Sequence, residues 1–157
     1  MRAAFAVLVA ASAALSVASG ARADPAYEAR TATAACLAAV IDKAPVVSTK
    51  GQDVAIRREN APNLCAVTVS SGDPDEVRQA VLHAVEARPE RFAPARTAWA
   101  PGAWASREAF CNAPGRRALN VVVETAKAGT SPVVNATVIE GRSRDSRCDV
   151  DMGRQEP

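Results

Sequence analysis

Two apolar runs separated by a short polar segment constrain the fold of this chain more than any other part of it. Residues 118–125 (ALNVVVET) and 132–140 (PVVNATVIE) alternate apolar and polar side chains, as half-buried β-strands do. The glycine-containing segment between them favours a turn, so we expect an antiparallel hairpin. A register that pairs Val121 with Val138 puts the alternating apolar side chains on one face. The polar side chains then lie on the other face, namely Asn120, Glu124, Asn135 and Thr137. A shift by one residue would mix the two faces, whereas a shift by two would not.

The cysteines indicate how the fold is covalently linked. The chain has four of them, and no pair shows the Cys-x-x-Cys spacing of zinc sites or of thioredoxin-like redox sites. An even number of cysteines in an exported chain predicts disulfide bonds. In the hairpin register above, Cys111 and Cys148 would face each other at the open end. We therefore predict the bridges Cys111–Cys148 and Cys36–Cys65, each contributing ~2–4 kcal/mol to stability.

The N-terminal segment has the features of a cleavable export signal. Arg2 precedes an uncharged apolar run over residues 3–18, and Ala21 and Ala23 match the small-residue pattern of a signal-peptidase site. The alternative, an uncleaved membrane anchor, would need about 20 apolar residues. We predict that residues 1–23 are removed, that the remaining chain has no membrane span, and that the protein is periplasmic or secreted. The Ala- and Arg-rich composition is typical of a bacterial source.

Two segments carry the start and stop signals of α-helices. Asp24 and Pro25 fit the N-cap and the first position of a helix whose apolar periodicity runs to Ala44. Asp73 and Pro74 repeat this arrangement at the start of a second amphipathic segment. A proline follows each of the two patterns, so we expect each helix to end before it.

Strand-like patterns occupy much of the chain between and after these helices. Besides the hairpin, they cover residues 53–57, 64–70 and 105–112. The resulting order is α-β-β-α-β-β-β. It predicts an α+β fold in which an antiparallel sheet of about five strands is packed by two helices and held by two disulfides. We assign residues 24–151 to a single domain and residues 152–157 to a frayed C-terminal tail.

Charge and motif content narrow the possible functions. The chain has 157 residues, a formal net charge of +2 and no basic tail, so nothing favours nucleic-acid binding. No glycine-rich phosphate loop or metal-ligand spacing is present, and we expect neither a cofactor nor a metal. The single histidine, His83, lies off the apolar stripe of the second helix, where we expect an ordinary surface position. An acid–base mechanism would use either His83 or the carboxylates that lie on predicted strands, which are Glu108, Glu124 and Glu140.

Aromatic residues are concentrated in one proline-rich stretch. They make up only 4% of the chain, yet both tryptophans and two phenylalanines lie within residues 92–110, interleaved with arginines. Tryptophan and arginine are the commonest anchors of binding surfaces. The candidate ligand-binding residues are therefore Phe92, Arg96, Trp99, Trp104 and Arg107. The alternative is a structural loop whose tryptophans cover the edge of the core.

These features favour a small exported protein that binds an unidentified protein or envelope ligand and catalyses no reaction. We expect it to be a monomer. Two alternatives remain open. One is an envelope-acting hydrolase that uses His83 or strand carboxylates, and the other is a structural component of the envelope.

Overall fold

The structure, a computed structural model, describes residues 24–90, 92–95, 104–112 and 118–141. Within these ranges the chain forms two helices and one seven-stranded antiparallel sheet, which confirms the predicted α+β class. The elements in chain order are α1 (Pro25–Ile41), β1 (Thr49–Lys50), β2 (Val54–Glu59), β3 (Asn63–Val69), α2 (Pro74–Glu86), β4 (Phe92–Ala95), β5 (Trp104–Asn112), β6 (Ala118–Ala126) and β7 (Val134–Gly141).

Both helices begin at the residues that the sequence predicts. The Asp24 carboxylate accepts a hydrogen bond from the amide of Ala26 at 3.0 Å. The Asp73 carboxylate accepts from the amides of Asp75 and Glu76, each at 3.0 Å. These side chains satisfy backbone amides that have no partner within the helix, which stabilises each helix start by about 1 kcal/mol.

α1 ends in a local turn, in which the Ala44 amide donates to the Ala38 carbonyl oxygen at 3.2 Å. The helix stops at Ile41, before the predicted end at Ala44, and Lys43 adopts a left-handed φ of 60°. Lys43 Nζ and Asn63 Nδ2 donate to the carbonyl oxygen of Val40 at 3.4 and 3.0 Å. Asn63 belongs to β3, so this hydrogen bond also joins the end of α1 to the sheet.

The sheet is built from two meanders. Its strands lie in the order β1-β2-β3-β7-β6-β5-β4, and the meanders β1–β3 and β4–β7 join where β3 pairs with β7. α2 carries the chain from β3, near the middle of the sheet, to β4 at one edge. α1 packs against β2, β3 and β7, and α2 packs against β6, β7 and α1. The two helices therefore cover the same face.

Two edge strands, β1 and β4, raise the number of strands from the expected five to seven. β1 has two residues and pairs with β2, and it lies outside the segments with a strand-like sequence pattern. β4 lies within the proline-rich stretch and pairs with β5, with Pro94 opposite Phe110. Proline lacks an amide hydrogen, so it is tolerated in a strand at the edge of a sheet, where one side of the strand needs no partner.

The hairpin of β6 and β7 has the predicted register. Val121 lies opposite Val138, and Val123 lies opposite Ala136. Each of these four side chains is at most 1% exposed and belongs to the core beneath the helices. A fully buried valine contributes ~1.5–3 kcal/mol relative to an exposed one, so burial strongly disfavours a shift by one residue.

One of the two predicted disulfides is confirmed. Cys36 of α1 is bonded to Cys65 of β3, and both side chains are fully buried. For the other predicted bridge, Cys111–Cys148, Cys148 lies outside the described residues, so this pairing stays a prediction. The extended hairpin from which we predicted it is wrong. The chain reverses between β5 and β6, and Cys111 lies beside the hairpin, opposite Asn120, rather than in line with β6.

Candidate functional site

The sheet has a second face, which we call the outer face, on the side away from the helices. Successive side chains of a strand point to opposite faces, so the residues next to the buried valines lie on the outer face. Strand pairing places four polar residues there, one on each of four adjacent strands. They are Thr68 on β3, Asn135 on β7, Glu124 on β6 and Arg107 on β5.

These four residues form a continuous line, which we call the polar row. Arg107 lies opposite Glu124, with 3.4 Å between Nε and Oε1. Asn135 Nδ2 donates to Glu124 Oε2 at 3.1 Å, and Thr68 Oγ1 donates to Asn135 Oδ1 at 3.2 Å. Neighbouring strands lie ~4.8 Å apart, so the polar row spans about 14 Å across the sheet.

The ion pair at one end of the polar row is partly shielded from water. The side chains of Arg107 and Glu124 are 21% and 19% exposed. Partial burial weakens solvent screening, so their attraction is stronger than that of a fully exposed pair. Each remaining member of the row holds its neighbour through a hydrogen bond, and the row is therefore a pre-arranged set of polar groups.

Trp104 lies beside the polar row rather than in a loop. It is the first residue of β5 and lies opposite Ala126, which is the next outward position along β6 after Glu124. The register shifts between Trp104 and Ser106, as in a β-bulge. Bulges often re-aim a side chain at the end of a strand. The structure thus brings Trp104 and Arg107 to adjacent positions on the outer face.

The other candidate residues do not all join this surface. Phe92 lies on β4 opposite Asn112 and packs against the hydrophobic core on the helix side. Asn112 and Arg107 lie on opposite faces of β5, because an odd number of residues separates them. Phe92 and Arg107 therefore do not converge on one ligand site. Arg96 and Trp99 lie outside the described residues.

The residues proposed for acid–base chemistry lie apart from one another. His83 is exposed on α2, and its imidazole has no hydrogen bond or ion pair with another described residue. Glu108 is held by Arg78, with 2.7 Å between Nη2 and Oε1, and Glu140 lies 2.9 Å from Lys43 Nζ. Glu124 is on the outer face, across the sheet from His83. No described carboxylate or serine is bound to the imidazole, so the hydrolase alternative gains no support.

Arg88 anchors the segment that leads into β4. Its guanidinium donates to the Glu90 carboxylate at 2.7 and 2.8 Å and to the Asp42 carboxylate at 3.0 and 3.1 Å. These hydrogen bonds raise the pKa of Arg88, and the bond from Arg88 lowers the pKa of Glu90. The ends of both helices and the start of the aromatic-rich stretch are thereby joined.

Sequence reasoning recovered only part of this site. It placed Glu124 and Asn135 on the polar side of the hairpin without giving them a shared role, and it missed Thr68. Their common signal is a polar residue at an outward position of a strand. The alignment of these positions becomes visible only when the strand order β3-β7-β6-β5 is known.

Comparison with models of known protein families, with curated proteins and with solved structures finds no match to this chain. No helix in the described ranges is long and apolar enough to cross a membrane. Over the same residues, no group of three or more His, Cys, Asp and Glu side chains is placed to hold a metal ion. The function is therefore inferred from the geometry of the outer face.

Proposed function

We propose that the protein is an exported, non-enzymatic binding protein and that its contact surface is the outer face around Trp104 and the polar row. Trp104 and Arg107 lie at neighbouring outward positions of β5, opposite Ala126 and Glu124 of β6. This placement is the observation that carries the proposal. Tryptophan and arginine are the residues most often found as anchors of binding surfaces.

The polar row supplies the features that a binding surface needs. Its side chains are held by one another, so ordering them on binding costs little conformational entropy. The opposite charges of Arg107 and Glu124 cancel, while Asn135 contributes a side-chain amide and Thr68 contributes a hydroxyl. Trp104 adds a large apolar surface with one polar N–H. This combination fits a partner with mixed polar and apolar groups, such as an envelope protein or another envelope ligand.

One feature of the structure and one feature of the sequence support export. The disulfide between Cys36 and Cys65 is typical of an oxidising compartment outside the cytosol. The sequence of residues 1–23 has the charge, apolar run and small residues of a cleavable signal. Together they favour a periplasmic or secreted protein, and the Ala- and Arg-rich composition favours a bacterial source. We propose that the protein acts as a monomer.

The proposal is tested by capturing envelope components on immobilised protein and comparing single variants. Trp104→Ala is expected to reduce capture of a defined component by at least about 10-fold, the ordinary effect of removing a binding anchor. Val47→Ala is the matched control, because Val47 is 77% exposed and lies outside the outer face. This control is expected to keep full capture.

Thermal unfolding of the same variants separates binding from stability. We expect Trp104→Ala to lose capture while remaining folded at the assay temperature. Two results would contradict the proposal. One is unchanged capture by Trp104→Ala. The other is a loss of stability in both Trp99→Ala and Trp104→Ala with no partner captured by the unaltered protein, which would assign both tryptophans a structural role.

A further inference from the structure

Cys111 lies on β5 four residues after Arg107, so both side chains are on the outer face. Within the sheet, Ala93 of β4 and Asn120 of β6 lie opposite Cys111 on its two sides. No described helix or strand lies over this part of the outer face, because both helices pack on the other face. Even so, Cys111 is only 4% exposed. This low exposure indicates that a further part of the chain covers Cys111.

Cys111 is disulfide-bonded, which narrows the choice of the covering segment. Cys36 is bonded to Cys65, so Cys148 is the remaining partner among the four cysteines of the chain. The Cα atoms of a disulfide lie ~4.4–6.8 Å apart. Because β4 and β6 occupy the positions beside Cys111 within the sheet, a bond to Cys111 places Cys148 above the outer face.

The chain that follows β7 is long enough to reach this position. Cys111, Asn120 and Ile139 lie in one row across β5, β6 and β7. Gly141, the last residue of β7, lies two residues beyond this row. With ~4.8 Å between strands and ~3.4 Å per residue, about 12 Å separates Gly141 from Cys111. The seven residues from Gly141 to Cys148 span up to ~25 Å, so the chain can turn after β7 and return above the sheet.

The residues that follow Cys148 have the alternation of a half-buried extended segment. Val150 and Met152 alternate with Asp149 and Asp151. Successive side chains of an extended segment point to opposite sides. Val150 and Met152 would therefore face the sheet together with Cys148, and the two aspartates would face solvent.

The outer face offers these side chains an apolar surface within reach of Cys111. It consists of three half-buried residues on adjacent strands, and we call it the apolar patch. Its members are Leu64 on β3, Ile139 on β7 and Val122 on β6. Val122 and Ile139 lie ~8–10 Å from Cys111 by strand spacing and rise. An extended chain carries Val150 and Met152 ~7 and ~14 Å from Cys148, so both can contact the apolar patch.

We propose that residues 148–152 dock on the apolar patch as an extended segment, held by a disulfide between Cys148 and Cys111. Met152, which the sequence assigns to the frayed tail, is then the last docked residue. Burial of apolar side chains stabilises the docked segment, and the disulfide keeps it at a high effective concentration. The apolar patch lies between the polar row and the end of the sheet at Gly141. The inference therefore does not depend on the function proposed for the polar row and Trp104.

Methyl NMR of the oxidised, 13C-methyl-labelled protein tests the docking directly. NOEs are expected from the methyl groups of Val150 and Met152 to those of the apolar patch. A mixed sample of labelled and unlabelled protein separates contacts within one molecule from contacts between two copies. NOEs between copies would assign the apolar patch to a second copy of the chain and overturn the proposal. The absence of any NOE between the segment and the apolar patch would also overturn it.

The double variant Cys111→Ser/Cys148→Ser tests the covalent anchor. It leaves the bond between Cys36 and Cys65 intact, which chemical reduction would not do. The NOEs between the segment and the apolar patch are expected to be lost or weakened. Unchanged NOEs would contradict the anchoring role, and so would a peptide map in which Cys148 is free or bonded elsewhere.

The double variant Val150→Ser/Met152→Ser keeps the anchor and removes the apolar contacts. The fluorescence of Nile red, an uncharged dye for exposed apolar surface, is expected to rise and to shift to the blue relative to the unaltered protein. Asp149→Ser/Asp151→Ser is the matched control, because these side chains would face solvent, and its dye fluorescence is expected to be unchanged. Equal dye fluorescence of the two double variants would overturn the proposal. The amide spectrum of each variant shows whether it is folded, so a folding defect is not mistaken for release of the segment.

Discussion

Glu124 and Asn135 face each other across the β6–β7 hairpin, and Asn135 Nδ2 donates to Glu124 Oε2 at 3.1 Å. The same asparagine accepts a hydrogen bond from Thr68 of β3. One side chain thus connects three strands on the outer face. This link joins the hairpin to the strand that carries Cys65, which is itself bonded to α1.

Replacing Asn135 is expected to destabilise the fold. Asn135→Ala removes both of its hydrogen bonds and leaves the half-buried Glu124 with one partner fewer, which costs about 1–2 kcal/mol. Urea unfolding measures the change. Asn60→Ala is the control, because Asn60 is exposed in a turn, and its effect is expected to stay within about 0.5 kcal/mol. Equal effects of the two substitutions would show that the Asn135 hydrogen bonds add nothing to stability.

The disulfide between Cys36 and Cys65 is expected to be a large contributor to stability. It closes a loop with a sequence separation of 29 residues. Replacing both cysteines by alanine is expected to lower the free energy of unfolding by about 3 kcal/mol. Urea unfolding of the double variant and of the unaltered protein gives the difference. A change below ~1 kcal/mol would show that non-covalent packing is sufficient to hold α1 on β3.

The remaining cysteine pairing is settled by peptide mapping without reduction. We expect one fragment that links Cys36 to Cys65 and another that links Cys111 to Cys148. The described part of the chain holds no free cysteine. A fragment that links Cys36 to Cys111, or Cys36 to Cys148, would refute both predicted bridges.

Two neighbouring valines test the assignment of the two sheet faces. Val121 is fully buried beneath the helices, whereas Val122 is half-buried on the outer face. Val121→Ala is expected to cost about 2 kcal/mol, from lost burial and the cavity that remains. Val122→Ala is expected to cost less than about 1 kcal/mol, because part of the Val122 side chain already contacts solvent in the folded protein. The reverse order in urea unfolding would contradict the observed register.

The ion pair of Arg88 and Glu90 predicts a pH dependence of stability. The hydrogen bond from Arg88 lowers the pKa of Glu90 below its usual value of 4.5. A lowered folded-state pKa stabilises the fold above pH 4.5, and this contribution is lost as the pH falls through the folded-state value. Glu90→Gln is therefore expected to have a lower free energy of unfolding than the unaltered protein at pH 7. At low pH the two free energies of unfolding are expected to converge.

Urea unfolding of both proteins at several pH values measures this difference. The expected size at pH 7 is up to about 1 kcal/mol, because both side chains are partly exposed. Glu86→Gln serves as the control, since Glu86 is exposed and no ion pair of the described residues involves it. A stability difference for Glu90→Gln that grows toward low pH would have the wrong sign and would exclude this role.

Local sequence patterns determined the elements that depend on near neighbours. Asp24 and Asp73 mark both helix starts because an N-cap is decided by a carboxylate and the amides that follow it. The alternation in residues 118–125 and 132–140 determined which side chains of the hairpin face the core, because only one face can be buried. It excluded a register shift by one residue but not a shift by two. The α+β class followed in the same way. The Cys36–Cys65 bridge was predicted only as the pair that Cys111–Cys148 leaves over, so its confirmation does not come from a local pattern.

Tertiary structure decided which elements lie side by side. The reversal between β5 and β6 puts Cys111 opposite Asn120. The Pro114-Gly115 dipeptide between the two strands fits either a reversal or a bulge in an extended hairpin arm, so the local pattern leaves the choice open. Strand order aligns Thr68 with Asn135 and separates Phe92 from Arg107 on opposite faces. The same long-range packing brings α1 and α2 together over one face of the sheet. The hydrophobic periodicity of a helix or strand predicts which of its faces is buried. Which neighbouring element buries that face depends on contacts between residues far apart in the sequence, and no short stretch of sequence contains those contacts.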